Sequence, residues 1–85
     1  MKLDKRIEEL IAVGASVTAN CQPCLQYHAD KAIENGAVAQ EIAEAIKVGT
    51  QVRKGAAAKM DKFSSKLNPA AASPDRVAED CGCGA

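Results

Sequence analysis

Eighty-five residues hold one domain at most, and so short a chain buries a smaller share of its surface than a typical domain does. Eleven acidic and eleven basic side chains give a formal net charge of zero, so no basic surplus is present to neutralise phosphates and nucleic-acid binding is set aside. No apolar run approaches the length of a membrane span, and much of the 47% hydrophobic content is alanine, with Tyr27 and Phe63 the aromatic residues.

Leu3, Ile7, Leu10, Ile11 and Val17 recur at helical steps, with Gly14 in the same stripe. They predict an amphipathic helix over about residues 4–17. The opening "MKLDKRIEELIAVGASVTA" has the basic start and small-residue end of a signal peptide. Asp4, Glu8 and Glu9 interrupt the segment that would have to be apolar, so that reading is rejected. The expected compartment is therefore the reducing cytoplasm, where cysteines serve catalysis or metal binding more often than structural disulfides. "TAN" (residues 18–20) ends the helix and offers Asn20 as a cap or turn residue.

A second helix is expected from about Cys21 to Asn35, stopped by Gly36. Pro23 falls in its first turn, where a missing N–H costs nothing. Its inward stripe reads Cys21, Cys24, Leu25, His28, Ala29, Ala32 and Ile33. From Val38 the periodicity continues through Ile42, Ala45, Ile46, Gly49, Val52, Ala56, Met60, Phe63 and Leu67, with Gly49 and Gly55 as expected kinks or a break. No segment alternates with a period of two. The reading is an all-α domain of three or four helices over residues 1–67. Its small side chains leave a thin core, for which oligomerisation is the natural remedy. Residues 68–85, "NPAAASPDRVAEDCGCGA", carry no apolar stripe and read as a mobile tail.

Chemistry concentrates at "CQPCLQYH", residues 21–28. Thiol chemistry needs a thiolate, and a free cysteine at neutral pH is mostly protonated. The first turn of a helix favours an anion at Cys21 and Cys24. His28 lies one turn beyond Cys24 on the same face, placed to share its proton. The CxxC spacing lets the two sulfurs close a disulfide. A lone CxxC is equally a metal half-site or buried filler, and a histidine on an apolar stripe is often a core residue. The combination of the pair, the histidine and the helix start favours redox chemistry. A thioredoxin fold is rejected because the motif is preceded by a helix and followed by no strand.

Glu9, eleven residues, CQPC, three residues and His28, followed by "ADKAIENGAVAQEIAEAIKVG", resemble the alkylhydroperoxidase D and carboxymuconolactone decarboxylase superfamily over residues 3–67. The cysteine pair makes the chain similar to the peroxidase-like branch. The resemblance implies a small helical domain that assembles as a homo-oligomer, with a hexamer favoured and a trimer or dimer as alternatives. It also implies a thiol-dependent peroxidase or disulfide oxidoreductase that uses no cofactor. Cys24 would be the attacking thiol, Cys21 the resolving thiol, and His28 and Glu9 a proton relay. Taken alone, Glu9 reads as part of a solvated helix face. The implied partners are a hydroperoxide or other small substrate and a lipoyl-bearing or thioredoxin-like dithiol protein. Two departures stand out: this chain corresponds to the catalytic half of the full-length family enzyme, and Pro23 replaces the histidine that the enzyme carries before its second cysteine.

The pair Cys81 and Cys83 lies outside the family pattern. It reads either as an accessory redox pair that exchanges with the first disulfide or as an inert tail. A competing class of function is metal binding, in which CxxC and CxC together supply four thiolates to a tetrahedral zinc, with His28 as a spare ligand.

Overall fold

Asp4 stands just before the first helix, and its Oδ1 accepts the Ile7 N–H at 2.9 Å, satisfying one of the donors that a helix start leaves unpaired. The helix that follows, α1, runs Lys5–Thr18. The structure, a computed structural model, describes residues 2–67. Among these residues there are two further helices, α2 (Gln22–Glu34) and α3 (Ala39–Leu67), and no strand. The architecture is thus all-α with three helices, the lower of the two expected numbers. None of the three is long and apolar enough to cross a membrane.

The connections are short because both helix ends turn sharply. Asn20 has φ 58° and Gly36 φ 99°, both in the left-handed region. At the end of α1, the Asn20 N–H donates to Val17 O at 3.1 Å and the Cys21 N–H to Ser16 O at 3.0 Å. At the end of α2, the Gly36 N–H donates to Ile33 O at 3.0 Å and the Ala37 N–H to Ala32 O at 2.9 Å. Each pair is a Schellman closure, which satisfies the last carbonyls and reverses the chain within two residues. Gly36 thus ends α2 as its sequence predicts.

α1 and α2 pack together. Val13 on α1 and Ala32 on α2 are completely buried, with Val17, Ser16 and Ala37 nearly so. The core is therefore made almost entirely of small side chains. The sequence stripe through Ile7, Leu10, Ile11 and Gly14 faces elsewhere. With Ala45, Val48 and Val52 of α3 it lines an open apolar groove of about 450 Å³, and Ile11, Val48 and Val52 are more than half exposed. Ile33 and Cys24, read as inward on α2, are exposed, while Leu25, His28 and Ala29 are half-buried. Helical periodicity located an apolar face on α1, but α2 packs against a neighbouring face of the same helix.

α3 runs through Gly49 and Gly55 without a break, which corrects the expected interruption. The two glycines do different things. Gly49 is buried where α3 crosses α1, and a Cβ there would lie 2.9 Å from Val17 Cβ and far inside contact distance of Gly14 O. Gly14 is nearly as tight, since a Cβ on it would lie 3.1 Å from Ala45 O. The Thr18 hydroxyl bridges the crossing, its one proton shared between Gly14 O at 3.1 Å and Gly49 O at 3.0 Å. Arg6 and Glu41 form an ion pair between the same two helices. Around Gly55 the space is open. The chain divides after Lys54 into two compact units, so that α3 contributes its first part to the unit of α1 and α2 and its remainder to the second. In that remainder Met60, Phe63 and Leu67 are all more than half exposed.

The two glycines should therefore respond oppositely to a methyl group. Gly49→Ala must push backbone away from backbone and is expected to cost about 2 kcal/mol or more. Gly55→Ala meets no atom and removes a helix-weakening residue, so it should stabilise by about 0.5–1 kcal/mol. Urea unfolding of both variants measures the contrast, and equal effects would contradict the crossing.

Candidate active site

The turn between α1 and α2 delivers the first cysteine. Cys21 closes the Schellman motif of α1 through its N–H and is at the same time the N-cap of α2. Its extended backbone (φ −106°, ψ 99°) turns its sulfur onto the helix start, where Sγ accepts the Cys24 N–H at 3.3 Å. The cap is therefore Cys21 and not Asn20, which serves as the left-handed turn residue. Pro23 occupies the first turn of α2, where an N–H has no intrahelical acceptor to lose. The sulfurs of Cys21 and Cys24 are bonded to each other, with their Cα atoms 5.3 Å apart. Cys21 is half-buried and Cys24 exposed.

Helical spacing places His28 one turn beyond Cys24. Its Nδ1 lies 2.6 Å from Glu9 Oε1. The glutamate side chain is 13% exposed and the histidine 31%, so the pair is partly shielded from water. A carboxylate only accepts, so Nδ1 is the donor, and in the neutral imidazole Nε2 then keeps the lone pair. Glu9 thus fixes the ring's orientation and tautomer from the neighbouring helix. Tyr27 packs edge-on against the imidazole, with ring centroids 5.0 Å apart and an interplanar angle of 81°. Lys31 lies 5.7 Å from the Tyr27 ring centroid. A hydrogen bond from Lys31 to Glu34 raises the lysine pKa, helped by the glutamate's charge.

One residue that sequence reasoning did not select holds the turn in place. Arg53, on α3, donates from Nη1 to Val17 O at 3.1 Å and to Asn20 Oδ1 at 3.0 Å. It thereby binds the last turn of α1 and the residue just before Cys21 in one grip. Arg53 lies four positions after Gly49, on the side of α3 that meets α1. The signal in the sequence is a single cation one helical turn after a glycine of the apolar stripe.

Among the described residues, no three His, Cys, Asp or Glu side chains gather into a metal-binding set. The four-thiolate zinc alternative and the accessory-pair reading both draw on Cys81 and Cys83, which lie outside the described residues.

A family model for the carboxymuconolactone decarboxylase family matches residues 1–63. Among curated proteins, "Uncharacterized protein 4 in cox locus" of Paracoccus denitrificans is 42% identical over 55 residues, which cover 65% of this chain and 50% of that protein. The chain thus spans half the length of this relative. No solved structure matches it.

The left-handed turn gives a local test. Asn20→Val places a β-branched residue at φ 58° and breaks the Arg53 contact, so it should destabilise by about 1–3 kcal/mol. Asn20→Gly accepts the backbone and loses the contact alone, and should stay within about 1 kcal/mol of the parent protein. Thermal unfolding followed by circular dichroism ranks the two.

Proposed function

The chain belongs to the carboxymuconolactone decarboxylase family, and from that premise we propose that it is a thiol-dependent oxidoreductase that reduces hydroperoxides through the Cys21–Cys24 pair. The observation that carries this reading is the Glu9–His28 hydrogen bond, 2.6 Å long, one helical turn from a cysteine pair at a helix start. A half-buried histidine needed for packing alone has no use for a carboxylate oriented on Nδ1 and, in the neutral ring, a lone pair on Nε2. A general base does.

In the proposed cycle the reduced Cys24 thiol passes its proton to His28 Nε2, and Glu9 stabilises the imidazolium that forms. The Cys24 thiolate attacks one oxygen of the hydroperoxide, the O–O bond breaks, and the departing alkoxide takes the proton back and leaves as the alcohol. Cys24 is now a sulfenic acid. Attack by the Cys21 thiolate on Cys24 Sγ forms the disulfide and expels hydroxide, which leaves as water after protonation. A dithiol then reduces the disulfide, itself becoming oxidised. The proposed reductant is a lipoyl-bearing or thioredoxin-like protein, since two thiols on one carrier complete the exchange without releasing a mixed disulfide.

Pre-reduced protein should consume an organic hydroperoxide stoichiometrically, with Cys24→Ser abolishing the reaction. Cys21→Ser should stop it at a sulfenic acid on Cys24 that dimedone labels. His28→Gln should slow the first step by about 10²–10⁴, and Glu9→Gln should slow it less, because Glu9 acts through the imidazole. Sulfenic acid on Cys21 of the Cys24→Ser protein at an undiminished rate would reverse the two cysteine roles.

Assembly is part of the same proposal. A core whose largest fully buried side chain is Val13 and an open apolar groove beside it leave large side chains that a second copy of the chain would cover. The expected state is a homo-oligomer, with a hexamer favoured. Light scattering at micromolar concentration checks it, and a stable monomer would contradict it.

A further inference from the structure

The two sulfurs of the disulfide are not equivalent, and the difference decides which one a reductant attacks. Thiol–disulfide exchange depends on access to the sulfur that is struck and on how well the other sulfur carries charge as it leaves. Both conditions separate the pair here. Cys24 is exposed and Cys21 half-buried. Cys21 Sγ already receives the Cys24 N–H at 3.3 Å and caps α2, so a donor and the positive end of the helix face it before any charge develops. Its backbone is held by the Cys21 N–H to Ser16 O bond and, through Asn20, by Arg53. The leaving position is preorganised.

We infer that Cys24 is the entry sulfur for the reducing dithiol and Cys21 the leaving thiolate. The incoming thiolate bonds to Cys24 Sγ, the Sγ–Sγ bond breaks, and the electron pair departs on Cys21 Sγ. The dithiol's second thiolate then bonds to the first sulfur and displaces Cys24 Sγ. The dithiol ends as a disulfide, the protein pair is reduced, and the two protons of the dithiol finish on the two cysteines or in solvent. The assignment rests on the redox reading of the pair, but not on a hydroperoxide being its oxidant. It also gives Cys24 two consecutive tasks, as the thiol that meets the oxidant and the sulfur that meets the reductant, while Cys21 acts as an internal thiolate in both half-reactions.

A monothiol has no second thiol with which to complete the exchange intramolecularly, so an early alkylating quench traps the product of the first step. Oxidised full-length protein is mixed with glutathione, quenched at early times with N-ethylmaleimide, and digested without further reduction. Fragment ions that break between Gln22 and Pro23 then tell the cysteines apart. Glutathione is expected on Cys24 and N-ethylmaleimide on Cys21, in at least about tenfold excess over the reverse pattern. The same partition in His28→Gln would assign the preference to the helix start. Glutathione found mainly on Cys21 would overturn the assignment and leave the redox reading standing, and migration to Cys21 in His28→Gln would overturn the helix start as its cause. A disulfide that glutathione does not open would overturn both readings.

Discussion

Asn20 adopts a backbone conformation that most residues avoid, and the geometry of the site follows from it. With φ at 58° the chain passes from α1 to α2 through residues 19–21 alone, so that Cys21 both closes one helix and caps the next. A longer connection would detach the cysteine from the helix start and with it the N–H that meets its sulfur. Asparagine tolerates the left-handed region better than other side-chain-bearing residues. Here its amide oxygen is also tied to Arg53 on α3, which makes the turn part of the three-helix framework.

That framework is built for close approach and not for bulk. Gly14 and Gly49 let α1 and α3 cross with backbone near backbone, and Thr18 spans the contact with its hydroxyl. Arg53 follows Gly49 by one turn, so the crossing brings its guanidinium within reach of the end of α1. The arrangement explains how a chain poor in large buried side chains can still position a site. Backbone packing and a few long polar contacts set the geometry, and the larger apolar side chains of α1 are left lining an open groove.

The site assigns different devices to its two sulfurs. Cys21 has the helix start and a backbone donor, whereas Cys24 has exposure and a histidine one turn away whose tautomer is set by Glu9. A pair in which both sulfurs relied on the same group would have them competing for it in the reduced state. In the proposed cycle this division would let one sulfur hold charge while the other exchanges a proton with the imidazole.

The sequence by itself determined whatever depends on residues within about four positions of one another: the helical segments, the stop at Gly36, Pro23 in a first turn, the cysteine pair at a helix start and His28 on the same face as Cys24. Such features rest on local hydrogen bonds and on helical periodicity. Only the tertiary structure decided the rest. It set Glu9 against His28 across 19 positions and Arg53 against Asn20 across 33, and it made Gly49 a crossing point where the sequence suggested a break. It also settled that Val13, Ser16 and Val17 are the buried face of α1, while the more conspicuous Ile7, Leu10 and Ile11 line an open groove. Periodicity shows that a helix has an apolar face, but not which neighbour covers it. A carboxylate's spacing along the chain says nothing of a partner on another helix, because that distance is set by the crossing of α1 and the turn at Asn20.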